Sequence, residues 1–314
     1  MKTYLILDAS NLIYRNFFAS LNEDQEMTVA ICYQMALNAL SKYHAKYNAT
    51  DVVVAFDMPN SWRKVYTKDT ETCVTRKVYK ANRRQTMTES QKKRMADLDT
   101  HIQSLADLFK DSTGLIVLKR KFLEADDLIA GFTQKFPDDK HIIVSSDKDY
   151  IQLLGNGNVS IVDPNTDKQR DLVDWDGDAN YFMFEKCFRG DDGDNVQSSF
   201  PRIRKTRIQK AYVDAFERTN VMKHEFVVEY LENDELKTHT YQTEKLFEEN
   251  RLLMDLTAQP EVIRELIDNT ISDAVDNRGK FDYFTFVRFC GQYNLPNILS
   301  SMDRYTKLLS GKGK

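Results

Sequence analysis

Short apolar runs and amphipathic stretches alternate through the first half of the chain. TYLILD (3–8), DVVVAFD (51–57), LIVLK (115–119), HIIVSS (141–146) and NVSIVD (158–163) are rich in β-branched residues and nearly free of polar ones until their ends. Runs of this kind predict strands buried on both faces, as in a parallel sheet. Between them, Val29, Tyr33, Leu37 and Leu40 recur at helical spacing within a helix expected over Glu26–Tyr47. Leu98, Ile102, Leu105 and Phe109 predict another helix, and a third runs from Ala125 to Phe136, where Pro137 stops it. From Trp175 the pattern becomes helical, through YFMFEKCFRG, RIQKAYVDAFERT and EKLFEENRLLMDL. The stretch VVEYLENDELKTHTY fits a hairpin or an irregular insertion equally well. The order predicts a doubly wound α/β domain over residues 1–174 and a mainly helical domain over 175–314.

Composition narrows the class without naming it. A chain of 314 residues with 41% hydrophobic and 29% charged residues can bury a full core. No apolar stretch approaches the roughly 20 residues that span a bilayer. Met1-Lys2 leads straight into a strand, so no signal peptide is expected. Cys32, Cys73, Cys187 and Cys290 are far apart, which fits reduced thiols in a cytoplasmic protein better than a zinc site.

Acidic residues close the strands. Asp8 and Asp57 end two of the apolar runs, and Asp147 with Asp149 follows a third. Glu124, Asp126 and Asp127 open the helix that follows LIVLK, while Asp191 and Asp194 sit in GDDGDN. Each acid alone reads as a turn or helix cap. Their recurrence at successive strand ends is harder to explain that way, because ligands of open α/β sheets bind at the carboxyl ends of the strands. On a helix starting near Glu124 the acids fan around the first turn, with Asp127 the one most free to point elsewhere. Gathered carboxylates repel one another unless a cation balances them. Oxygen donors favour magnesium or manganese, and two ions clamping a phosphate would use this many acids. A two-carboxylate acid/base pair would leave most of them unexplained.

The segment after Asp57 has the opposite charge. Between Trp62 and Arg94 lie eleven bases, Arg63, Lys64, Lys68, Arg76, Lys77, Lys80, Arg83, Arg84, Lys92, Lys93 and Arg94, against Asp69, Glu71 and Glu89. A charge run is commonly just a solvated face. Interleaving with Trp62, Tyr66 and Tyr79 shifts the reading toward a strand of nucleic acid, held by stacking and phosphate contact. PRIRKTRIQK (201–210) is a second basic stretch, either a phosphate contact or a basic helix start.

The ordered set of an Asp after the first strand, FD before WR, YKANR, EADD, SSDKD and GDDGDN resembles the 5′-nuclease superfamily. That superfamily includes flap endonucleases, the 5′-nuclease domains of bacterial DNA polymerases and phage 5′→3′ exonucleases. Likeness to the T-even phage ribonuclease H group continues through ENRLLMDLTAQP and RGKFDYF. The resemblance implies a PIN-like (resolvase-like) α/β sheet flanked by helices. It also implies a helical arch over residues 58–95 and a C-terminal helical DNA-binding region supplying the GDDGDN acids. Asp8, Asp57, Glu124, Asp126 and Asp147 would surround a first Mg2+. Asp149, Asp191 and Asp194 would serve a second, with Mn2+ as a substitute and Asp127 as a further matching acid. Lys80 and Arg83 match arch residues that contact the scissile phosphate, with Asp147 beside them in catalysis. Trp62, Arg63, Tyr79, Arg84, Arg202, Arg204 and Lys205 would touch nucleic acid.

The implied activity is 5′→3′ exonuclease and ribonuclease H action, removing RNA primers and adjacent DNA from lagging-strand fragments, with flap endonuclease capability. Its partners would be RNA–DNA hybrid, duplex or flap DNA, and a phage single-stranded DNA-binding protein and sliding clamp. A monomer in the host cytoplasm is expected, with no membrane. The alternatives are a PIN-type RNA endonuclease and a non-catalytic nucleic-acid-binding relict. One departure stands out: SSFPRIRKT carries Arg202 and Arg204 where relatives have a glycine-rich helix–hairpin–helix.

Overall fold

In chain order the computed structural model contains β1 (Thr3–Asp8), α1 (Ala9–Ala19), α2 (Gln25–Tyr47), β2 (Asp51–Ala55), α3 (Trp62–Tyr66), α4 (Glu89–Ser112) and β3 (Ile116–Leu118). Next come α5 (Ala125–Lys135), β4 (Lys140–Val144), β5 (Val159–Val162), α6 (Ala179–Arg189), α7 (Lys205–Val213), α8 (Ala215–Met222), β6 (Glu225–Glu232) and β7 (Glu235–Gln242). The chain continues through α9 (Thr243–Met254), α10 (Glu261–Asp276), α11 (Tyr283–Gln292), α12 (Pro296–Leu299) and α13 (Met302–Leu309). The structure describes residues 1–20, 25–69, 71–85, 87–232 and 235–311. Two compact units emerge: residues 1–59, 88–171 and 262–314 form the first, and 60–87 with 172–261 the second.

The first unit is built on a five-stranded parallel sheet in the order β3–β2–β1–β4–β5. Strand residues alternate between faces. Leu5, Leu7, Val52, Val54, Ile142 and Val144 join α1, α2 and α4 in one core with Leu37, Leu40, Leu98, Leu105 and Phe109. From the other face of the sheet, Tyr4 meets Phe132 of α5 edge-on at 4.9 Å. Both faces are therefore covered, which is why the strands read as unbroken apolar runs.

The same core takes in Phe286, Cys290, Ile298, Tyr305 and Leu309. The C-terminal helices thus belong with the sheet, unlike the single boundary expected after residue 174. Among the described residues of the expected arch, helical turns occur at Trp62–Tyr66 and Ala81–Arg84, the chain between them is irregular, and α4 begins at Glu89. In the second unit, α6, α7 and α9 share an aromatic core in which Phe188 and Phe247 lie 4.8 Å apart. The undecided stretch is an antiparallel hairpin, β6 with β7.

The tail closes onto the loop before β3 at backbone contact. Gly114 N–H donates to Leu309 O at 2.7 Å, and a Cβ on Gly114 would lie 2.3 Å from Ser310 O. Gly114→Ala is expected to cost about 2 kcal/mol or more, because two main chains must separate. Thermal unfolding measures it, and an unchanged midpoint would mean the tail does not dock there.

Candidate active site

The order β3–β2–β1–β4–β5 puts the topological switch point between β1 and β4. Asp8 is the last residue of β1, and Asp147 follows β4 by three positions. Asp8 is nearly inaccessible, and its carboxylate accepts from Asn11 N–H at 3.0 Å, Ser145 Oγ at 3.1 Å and Tyr150 Oη at 3.0 Å. These donors favour the charged form, yet burial, followed by the charges of Asp57 and Asp147, pushes its pKa up to about 7. The Tyr150 phenol is held well above its usual range, by burial and then by Asp8, Asp126 and Asp147. Strand ends and the start of α5 thus deliver Asp8, Asp57, Asp126 and Asp147 to one neighbourhood.

Asp57 Oδ1 accepts from Ala125 N–H at 2.8 Å, tying the end of β2 to the start of α5. There Glu124 and Asp127 form a reciprocal cap, each carboxylate accepting from the other's backbone N–H. Asp127 is fully buried in that role. Even so, oxygens of Glu124, Asp126 and Asp127 lie within 4.8 Å of one another, close enough to share a cation. Asp147 Oδ1 accepts from Asp149 N–H at 2.9 Å, which fixes the SSDKD turn, and both acids are half-buried. Hard oxygens crowded until one carboxyl is pushed up to about 7 fit a divalent cation by donor chemistry.

The second unit holds Asp191 and Asp194 in a tight turn. Asp191 accepts from Gly193 N–H at 2.9 Å and lies 3.3 Å from Lys186 Nζ. Asp194 accepts from Tyr79 Oη at 2.8 Å and Arg83 Nη2 at 2.5 Å, with Lys80 Nζ at 3.8 Å. Main-chain bonds reinforce the match, since Lys80 N–H donates to Asp194 O at 2.8 Å. YKANR and GDDGDN, more than a hundred residues apart, are therefore partners.

Three expected nucleic-acid contacts are instead interior. Arg63 is 1% exposed and donates from Nε to Leu253 O at 2.6 Å. Its guanidinium stacks 4.8 Å from the Trp62 ring, and Trp62 is 6% exposed. Tyr79 is 3% exposed, with its hydroxyl engaged by Asp194. Sequence alone does not reveal an inward-facing carbonyl that takes a guanidinium, so the mixed basic and aromatic pattern reads as a surface for phosphate contact and stacking. The Arg84 side chain lies outside the described residues. Arg202 and Arg204 are exposed, and Lys205 Nζ donates to Asp174 O at 3.0 Å. Arg202 adopts φ 60°, so the chain keeps a left-handed backbone where relatives were expected to place glycine.

Several supporting residues escaped the sequence reading. Tyr150 and Ser145 cradle Asp8, and Asn11 Oδ1 accepts from Ser146 Oγ at 2.7 Å. On α9, buried Glu249 accepts from Val74 N–H at 2.5 Å and Thr75 N–H at 2.6 Å, just ahead of YKANR. Its neighbour Asn250 donates to Cys187 O and Gln197 O, which flank GDDGDN. A buried Glu-Asn pair inside the apolar pattern EKLFEENRLLM was the available signal.

The family described as 5′-3′ exonuclease, N-terminal resolvase-like domain, matches residues 3–182 of this chain. Flap endonuclease Xni of Pseudoalteromonas translucida is 31% identical over 173 residues, 52% of this chain and 58% of that protein. A 5′-3′ exonuclease of Aquifex aeolicus is 29% identical over 175 residues, 54% of this chain and 53% of that protein. The chain thus matches little more than half the length of these curated relatives. A phage T5 5′-exonuclease solved with zinc ions superposes with TM-score 0.64 at 18% identity, covering 88% of this chain and 99% of that one. A phage T5 flap endonuclease solved with DNA and metal ions gives 0.62 at 18% identity, over 88% and 100%. At that identity these neighbours speak to the fold alone.

The raised Asp8 pKa has a sign that can be tested. Between its ordinary range near pH 4 and about 7, the folded metal-free protein binds more protons than the unfolded chain. Stability in chelator should therefore fall as pH rises through that window. Asp8→Asn should flatten the slope of unfolding midpoint against pH, and an equally steep slope in the variant would place the titration elsewhere.

Proposed function

Because this chain belongs to the 5′-3′ exonuclease family, by the match over residues 3–182, we propose that it is a divalent-metal-dependent 5′-nuclease. The supporting observation is the convergence of Asp57 and Asp147 on buried Asp8 at the switch point of the sheet. Asp8, Asp57, Glu124, Asp126 and Asp147, with Asp127 closing the cap, would hold a first Mg2+. A bound divalent ion supplies Lewis-acid activation of water and charge neutralisation for phosphodiester hydrolysis. Ser145, Tyr150 and Asn11 N–H orient the Asp8 carboxylate toward that task.

Family likeness assigns Asp149, Asp191 and Asp194 to a second ion. Asp191 is now paired with Lys186, and Asp194 with Lys80 and Arg83, cations that a bound ion would compete with. Lys80 and Arg83 would then face the scissile phosphate and offset its charge. Arg202, Arg204 and Lys205 would hold duplex phosphates by side chain. The substrates proposed are RNA–DNA hybrids, nicked or flapped duplexes and the RNA primers of lagging-strand fragments. A single-stranded DNA-binding protein and a sliding clamp are the candidate protein partners. The second unit and its hairpin form the proposed duplex-binding module.

Asp147→Asn is expected to lower cleavage of a 5′-labelled hybrid and a 5′-flap DNA at least about a hundredfold. Binding in chelator should survive, and cleavage at the wild-type rate would overturn the metal-site reading. Product lengths from the two labelled substrates separate exonuclease from flap cleavage. Lys80→Ala should reduce kcat about a hundredfold with a smaller change in KM. A change confined to KM would make Lys80 a binding residue only.

A further inference from the structure

Phe122 stands out among the described residues as the one aromatic side chain at positive φ, 73°. A left-handed backbone suits glycine, asparagine or aspartate and disfavours a bulky residue. The strain lies in a closed turn: Leu123 N–H donates to Arg120 O at 3.1 Å, with Phe122 in the third position. A turn with positive φ there ordinarily takes glycine or asparagine.

Burial compensates for it only in part. Phe122 is 45% exposed and makes no ring contact with a described residue. The next residues are interior: Leu123 is 0% and Glu124 6% exposed. Three bases precede the ring, Lys119 paired with Asp107, and Arg120 and Lys121 exposed. A strained, outward aromatic on a basic turn therefore sits two residues ahead of the Glu124–Asp126–Asp127 cluster. Strain retained at a half-exposed aromatic is a mark of functional use.

We propose that Phe122 is a base-stacking residue, receiving an unpaired base of the strand brought to these acids, with Arg120 and Lys121 on its flanking phosphates. The proposal rests on the nucleic-acid reading above. It explains why a phenylalanine stands where the backbone asks for glycine, since stacking tolerates any base and flanking cations hold the strand electrostatically.

The test uses the full chain in chelator, so nothing is cleaved, with fluorescence anisotropy of a labelled 5′-flap DNA and of a fully paired duplex. Phe122→Gly should weaken flap binding about tenfold, leave duplex binding within twofold, and raise the unfolding midpoint by about 2–4 °C as strain is released. Phe122→Trp should retain flap affinity. The double variant Arg120→Ala, Lys121→Ala should reduce the slope of log affinity against log salt by about two. Flap binding unchanged in Phe122→Gly, beside normal wild-type binding, overturns the stacking role and leaves the nuclease reading intact. A lowered midpoint overturns it too, by making Phe122 a packing residue. Wild-type protein that binds neither DNA overturns both.

Discussion

Carboxylate repulsion at the carboxyl edge of the parallel sheet is the constraint on which the remaining structure depends. Asp8 is buried beside Asp57 and Asp147, and the protein lets its pKa climb to about 7 rather than move the acids apart. Burial and like charge both act against the ionised form. Three hydrogen-bond donors on the same carboxyl act for it, so the position is prepared for a charge that the protein alone does not balance. Strand register makes this arrangement rigid, because Leu5, Leu7, Ile142 and Val144 lock β1 and β4 into the core.

The second unit handles the same problem with its own cations. Asp194 is satisfied by Tyr79, Lys80 and Arg83, and Asp191 by Lys186. Glu249 and Asn250, adjacent on α9, hold the segments that carry these partners. In the proposed nuclease this pairing keeps the bases and the turn acids in register until phosphate and metal compete for them. Partly exposed pairs of this kind exchange at small cost, as the proposed second ion and scissile phosphate would require.

Much of the framework was legible because the sheet is covered on both faces. Short β-branched runs such as TYLILD and HIIVSS fit strands covered on both faces, and Asp8 and Asp147 follow from where those runs end. Helical spacing likewise marked α2 and α4, and Pro137 the end of α5. The limits of the sequence have physical causes. Arg63 looked like a phosphate ligand until Leu253 O took its Nε–H, and Trp62 and Tyr79 followed it inward. Asp127 was spotted as an acid, but its cap bond to Glu124 N–H depends on local backbone geometry. The C-terminal helices carried an apolar face whose destination, the core shared by α2 and α4, is a tertiary fact. Tyr150 lay in plain view next to SSDKD, yet only packing shows its hydroxyl on Asp8.

Calorimetric titration of the metal-free protein with Mn2+ at pH 6.5, in two buffers of different ionisation enthalpy, tests the central claim most directly. If the sheet-edge carboxylates await a hard dication, binding saturates and the buffer dependence of the heat reports protons released as Asp8 ionises. Absence of binding, or binding with heat independent of the buffer, would contradict it.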